Sequence, residues 1–142
     1  MSVINFFNKG KPESLRVLIS LRHKDKPLDF FEKVLGKSSY SYNVGDLYKQ
    51  IDTKTIKRKS TLWSLIEQSD KLDDIHNLID KLFDQARPLE KEILSFGDIV
   101  KPKFNIWHRR SDQDESWFGF AFTTEQIDFL STIKAEVDIV SE

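Results

Sequence analysis

The stretch that most constrains the fold is residues 116–140, SWFGFAFTTEQIDFLSTIKAEVDIV, which passes from strand to helix to strand with almost no linker. Phe118, Phe120 and Phe122 alternate with Trp117, Gly119 and Ala121, the period of two that gives a strand one buried face. Thr123 followed by Gln126 has the form of a capping box, and Ile127, Leu130 and Ile133 mark the buried stripe of the helix it opens. Val137 and Ile139 then alternate with charged neighbours in a closing strand. Three rings on one strand face must be core, so the segment specifies a helix packed on a sheet. It specifies no chemistry.

The earlier elements follow the same logic. Leu15, Val17, Ile19 and Leu21 alternate with Arg16, Ser20 and Arg22, and Leu18 breaks the pattern on the outer face. Pro27 suits the first turn of a helix bearing Leu28, Phe31, Val34 and Leu35, which Gly36 can end in a left-handed conformation. Residues 37–61 are rich in Tyr and Lys and predict a long excursion containing a weak strand or hairpin. A second, more buried strand is expected over residues 61–66, with Leu62, Trp63, Leu65 and Ile66.

Ser69 or Asp70 is the expected cap of a helix on which Leu72, Ile75, Ile79, Leu82, Phe83 and Ala86 recur at three-and-four spacing. Pro88 must end or kink it, because a proline inside a helix costs about 3 kcal/mol. A segment over residues 89–96 closes at Gly97. The next strand, residues 99–108, places Phe104 and Ile106 on one face and Trp107 on the other, with Pro102 marking a bulge or an edge position. Residues 109–115 form a hairpin connection into the strand at 117–122. The fold class is therefore α+β: a largely antiparallel sheet with helices packed on one face, in ferredoxin-like order of elements from about residue 61 onward. We expect one domain over residues 1–142, with residues 1–13 a flexible or edge-strand N-terminus.

Composition narrows the function classes. Twenty-three acidic against 22 basic residues give a net charge of -1, which removes the basic field of a general nucleic-acid binder. The chain has no Cys, which excludes disulfides, thiolate nucleophiles and Cys-ligated zinc. Its start lacks the charged region and apolar run of a secretory signal, and no apolar run reaches membrane length, so a soluble cytoplasmic protein is the default.

No catalytic constellation stands out. His23 lies between Arg22 and Lys24, His76 beside the apolar stripe of a helix, and His108 at a strand end, and none pairs at metal-ligand spacing. Ser60, Ser64 and Ser116 lack a nucleophile elbow, and Gly10, Gly36, Gly45, Gly97 and Gly119 form no phosphate loop. Neither cofactor nor metal is implied. Charge is nevertheless uneven. Residues 49–59 carry Lys49, Lys54, Lys57, Arg58 and Lys59 against Asp52, and Asp70, Asp73, Asp80 and Asp84 follow helical spacing opposite an apolar stripe. The acidic set is a solvated helix face or a surface for a basic partner such as a nuclease's phosphate-binding site. The basic run, near Tyr40, Tyr42 and Tyr48, is a solvated loop or a single-strand binder, and the net charge disfavours the latter. Trp107 and Trp117, if they meet on a face no helix covers, form a contact patch.

Ser60-Thr-Leu-Trp-Ser-Leu65, the helix with its late Pro88, Gly97 before a strand, and Phe120-Ala-Phe-Thr-Thr-Glu-Gln-Ile-Asp-Phe-Leu130 followed by Ala135-Glu-Val-Asp-Ile139 resemble, in order and spacing, the bacterial family called domain of unknown function 4279. The resemblance covers about residues 14–140 and its clearest mark is Trp63. It departs at Lys134, where the family has a glycine near the end of the last helix, and at the longer basic run over residues 49–59. It implies a fold and no catalytic residues. In size and character the chain also resembles the immunity proteins of contact-dependent or polymorphic toxin systems.

The expectation is a non-catalytic protein-binding module, an immunity protein that neutralises a cognate toxin by covering it, with a toxin nuclease domain as partner. The expected contact residues are Asp70, Asp73, Asp80, Trp107, Asp112, Asp114, Glu115 and Trp117. The alternatives are a small-ligand or regulatory domain, an enzyme whose dispersed site combines His108, tyrosines and a carboxylate, and a homodimer through an edge strand or the Trp face.

Overall fold

The computed structural model describes residues 14–71, 74–109 and 120–141. The chain runs β1 (Ser14–His23), α1 (Leu28–Leu35), β2 (Tyr40–Tyr42), β3 (Leu47–Ile51), β4 (Lys54–Lys57), β5 (Thr61–Ser69), α2 (Ile75–Ala86), α3 (Glu90–Ser95), β6 (Lys103–Arg109), α4 (Thr124–Thr132) and β7 (Glu136–Ser141). Tight 3-10 turns lie at Arg87–Leu89 and Gly97–Ile99. Five strands form one sheet in the order β2-β5-β1-β6-β7, antiparallel except for the β6–β7 pair, and β3 with β4 makes a separate hairpin. The fold is α+β.

Register explains the core. Opposite β1, Leu21 meets Trp63 and Ile19 meets Leu65 on β5, while Ile19 meets Phe104 and Val17 meets Ile106 on β6. These side chains share one sheet face, and all are buried. Onto it α2 lays Ile75, Leu78, Ile79, Leu82, Phe83 and Ala86. The Phe83 ring lies 5.3 Å from Phe104 and 4.7 Å from Phe129 of α4, so large rings join sheet and helices. On α1 the buried residues are Phe31 and Leu35, with Val34 exposed, and the Trp63 indole N–H donates to the Gly36 carbonyl at 2.9 Å.

Several expectations are corrected in detail. Helix α2 begins after Asp74, and Ser69 is instead a turn former, its hydroxyl donating to the Asp74 carboxylate and accepting from the Lys71 amide. Pro27 is the residue before α1 and not its first turn. Pro88 sits in the 3-10 turn that separates α2 from α3. Pro102 marks neither an edge nor a bulge: β6 starts at the next residue and is paired on both sides, where a residue without an N–H has no place. The Pro102 carbonyl instead accepts from the Glu136 amide at 3.0 Å.

Residues 120–123 form no strand, and the expected strand residues 117–119 lie outside the described residues. Both edges of β6 are taken, by β1 and β7, which leaves no edge for the anticipated hairpin. From residue 61 onward the described elements run β5, α2, α3, β6, α4, β7, and in the sheet β1 is inserted between β5 and β6. Phe120 and Phe122 still pack on the core, 4.9 Å apart.

The capping box of α4 forms as expected: the Gln126 amide donates to Thr123 Oγ1 and the Thr123 amide to Gln126 Oε1. Its buried stripe is Gln126, Phe129, Leu130 and Ile133, at positions i, i+3, i+4 and i+7, so Ile127 falls off the stripe and is 52% exposed. Val137 and Ile139 share a face with Phe104 and Ile106 but stand on the edge strand, where they remain nearly half exposed.

Candidate functional site

The helices cover one side of the sheet, and the register shows what the other side presents. One row runs Tyr40, Ser64, Ser20, Lys103 across β2, β5, β1 and β6. The neighbouring row carries Tyr42, Leu62 and Arg22, and beyond the central row follow Ile66, Leu18, Asn105 and Asp138, then Arg16 and Trp107. Ser20 and Ser64 are buried although none of the described helices lies over them, because long neighbours rise around two short ones. The result is a concavity of about 370 Å³ with a serine floor. Both hydroxyls donate to backbone carbonyls, Ser64 to Tyr40 at 2.7 Å and Ser20 to Lys103 at 3.5 Å. Among the described residues, neither hydroxyl is hydrogen-bonded to a side chain that could act as its base.

Among the described residues, four cationic side chains, Arg16, Arg22, Arg58 and Lys103, line this concavity against a single carboxylate, Asp138. None of the four is in a salt bridge among the described residues; the ion pairs there are Asp84 with Arg87 and Lys101 with Glu136. Two of the arginines are held by tyrosines. Arg22 Nη1 donates to the Tyr42 hydroxyl at 2.7 Å and to Ser60 Oγ at 3.4 Å. Arg58 Nη2 donates to the Tyr40 hydroxyl at 3.1 Å, and its guanidinium carbon lies 3.9 Å from the Tyr42 ring centroid and 4.1 Å from that of Tyr48. Arg58 reaches the sheet because it leaves β4 at the hairpin base, where its amide donates to the Asp46 carbonyl and its own carbonyl accepts from Gly45.

Of the predicted contact residues, the three that are described, Asp70, Asp80 and Trp107, lie apart. Trp107 is on the open face and 43% exposed. Asp80 is on α2, across the sheet, and accepts from Gln126 Nε2 at 3.1 Å, while Asp70 is exposed just beyond β5. Asp73, Asp112, Asp114, Glu115 and Trp117 lie outside the described residues. The histidines are dispersed. His108 is buried opposite Leu15 on the helical face, His76 Nδ1 is 3.3 Å from Gln126 Oε1, and His23 Nδ1 accepts from the Asp25 and Lys26 amides. The anticipated combination of His108 with tyrosines therefore does not form, since Tyr40 and Tyr42 face the other way. Among the described residues, no three His, Asp or Glu side chains converge as a metal site would require, and no helix is long and apolar enough to cross a membrane.

Sequence reasoning passed over Arg16, Ser20 and Arg22, which it took only as the solvated face of β1. The usable signal was serine midway along the outer face of two strands, Ser20 between Leu18 and Arg22 and Ser64 between Leu62 and Ile66, with arginine at positions 16 and 22 of the first.

The family model described as Domain of unknown function (DUF4279) matches residues 13–141. The chain belongs to this family. No solved structure matches the DUF4279 chain. Trp63, on which the resemblance most depended, is fully buried in the core of this DUF4279 domain and serves as an anchor. Lys134, standing where the resemblance leads to glycine, has φ 58°. Its amide donates to the Ser131 carbonyl while the Ala135 amide donates to Leu130, the paired bonds of a Schellman cap whose left-handed residue is ordinarily glycine.

Proposed function

We propose that this domain is a non-catalytic protein-binding module that engages an acidic partner surface through its open sheet face. The observation that carries this reading is the concavity on the sheet face opposite the helices, where, among the described residues, Arg16, Arg22, Arg58 and Lys103 are set against Asp138 alone. Arginine, tyrosine and tryptophan are the side chains that dominate binding hot spots, and Tyr40 and Trp107 stand nearly half exposed beside the arginines. Cations that are in no salt bridge among the described residues gain from an acidic surface in both association rate and orientation. The partner class we favour is a bacterial toxin domain that the module neutralises by covering it, in keeping with the size and character of immunity proteins. On this reading the covered surface is acidic, in place of the basic phosphate cleft of a nuclease that the acidic residues of the sequence suggested.

The test is titration calorimetry of the whole chain against the protein product of the neighbouring gene, at low and high salt. We expect a salt-sensitive complex with an interface near the ordinary ~1,600 Å². The double substitution Arg16→Glu, Lys103→Glu should abolish it and Asp80→Lys should not. Retention of binding by the double variant, or a footprint on α2, would refute the assignment. A second reading, a small-ligand site, is favoured by one specific feature, the tyrosine-held Arg22 and Arg58.

A further inference from the structure

We infer that Arg22 and Arg58 form a built site for a phosphate monoester at one end of the open sheet face. The inference uses the same concavity as the protein-binding reading but does not require the ligand to be a protein. Tyr42 organises both guanidiniums from one ring: Arg22 bonds its hydroxyl oxygen while Arg58 lies across its face, and both guanidinium carbons fall within 6.0 Å of the ring centroid. The Tyr48 ring centroid lies 4.1 Å from the Arg58 guanidinium carbon and the Tyr40 hydroxyl takes one of its N–H groups, so three tyrosines hold Arg58. Two like charges gathered around one neutral ring repel each other, and among the described residues no carboxylate relieves them. Their fixed placement leaves little side-chain entropy to lose when an anion arrives.

The chemistry selects the anion. Arg22 uses Nη1 and Arg58 uses Nη2 for protein contacts, which leaves each a fork of remaining N–H donors, the geometry that takes two oxygens of a phosphate at once. The Tyr42 hydroxyl accepts from Arg22, so its own proton is available to a third oxygen. A carboxylate offers two oxygens and one charge. A phosphate monoester offers three oxygens and, near neutral pH, a charge of about -2, which matches two guanidiniums. Lys103 and Arg16, farther along the face, add to the field that draws it in.

The experiment is a nuclear magnetic resonance titration of the full chain, following arginine side-chain N–H signals, with three separate probes: inorganic phosphate, a nucleoside monophosphate, and a phosphoserine peptide. Acetate is the carboxylate comparison. All three phosphate probes should shift Arg22 and Arg58, with acetate at least about tenfold weaker. The tightest of the three names the source, free phosphate, small metabolite or modified protein. Affinity should fall severalfold or more from about pH 7.5 to about pH 5, because the monoester takes up its second proton near pH 6 while the guanidiniums stay charged. Arg58→Gln should weaken binding by about tenfold or more. Tyr42→Phe keeps the stacking ring but frees Arg22, and should cost a smaller factor with the fold's methyl signals unchanged. Acetate binding as well as phosphate, shifts that persist in Arg58→Gln, or an affinity that ignores pH would each overturn the inference. Because Arg16→Glu, Lys103→Glu leaves both clamp arginines in place, loss of the protein partner in that variant with phosphate shifts retained separates the two proposals.

Discussion

Gln126 offers the sharpest test of how this fold is held together. Its side chain is fully buried at the junction of α4 and α2, where Oε1 accepts from the Thr123 amide and approaches His76 Nδ1, and Nε2 donates to Asp80. Three substitutions separate its contributions. Gln126→Ala removes the bonds and leaves a hole, Gln126→Leu removes the bonds and keeps the volume, and Gln126→Glu keeps the acceptor but turns the donor toward Asp80 into a second carboxylate. The Thr123 amide and the Asp80 carboxylate are exposed and regain water when released, so the lost bonds are worth about 1–2 kcal/mol together. The hole adds about 1–2 kcal/mol more. We therefore expect a loss of about 1.5 kcal/mol for Leu and about 3 kcal/mol for Ala, read as midpoint shifts in urea at constant m.

Gln126→Glu should be worse than Leu at neutral pH and should recover in acid. Burial and the Asp80 charge raise the folded-state pKa of the introduced carboxyl above its unfolded value of about 4.3. The penalty is thus absent below that value, where the group is protonated in both states, and grows as pH rises toward the folded pKa. Urea melts of all three variants at several pH values decide the matter. If Glu is no worse than Leu at neutral pH, or if all three fall within about 0.5 kcal/mol of wild type, the junction is not built as described.

Other substitutions probe single contacts. Trp63→Phe should destabilise by about 2–3 kcal/mol in urea, since it leaves space in the core and orphans the Gly36 carbonyl. Gly36→Ala should cost about 1–3 kcal/mol despite open space around a new Cβ, because φ 83° with ψ -162° is a conformation that side chains exclude; a neutral melt would contradict this. Lys134→Gly should raise the thermal midpoint, with a gain of up to about 1 kcal/mol as the left-handed cap is relieved, partly offset by the greater freedom of glycine in the unfolded chain.

What the sequence determined by itself was each element that depends on neighbours along the chain. The alternation of Leu15, Val17, Ile19 and Leu21 specified β1, and Thr123 with Gln126 specified the start of α4, because periodicity and capping operate within a few residues. The resemblance built on Trp63 and the closing segment likewise led to the right family. Tertiary structure decided everything that depends on which strands become neighbours. No local signal said that β1 would lie between β5 and β6, occupying the edge a hairpin needed, or that Pro102 would precede a doubly paired strand. The site followed the same rule. Arg16, Arg22, Arg58 and Lys103 are scattered over 88 positions of the chain and mean little until β1, β6 and the hairpin base bring them to one face. Net charge hid them, since a sum over the whole chain cannot show that cations gather on the side of the sheet opposite the described helices.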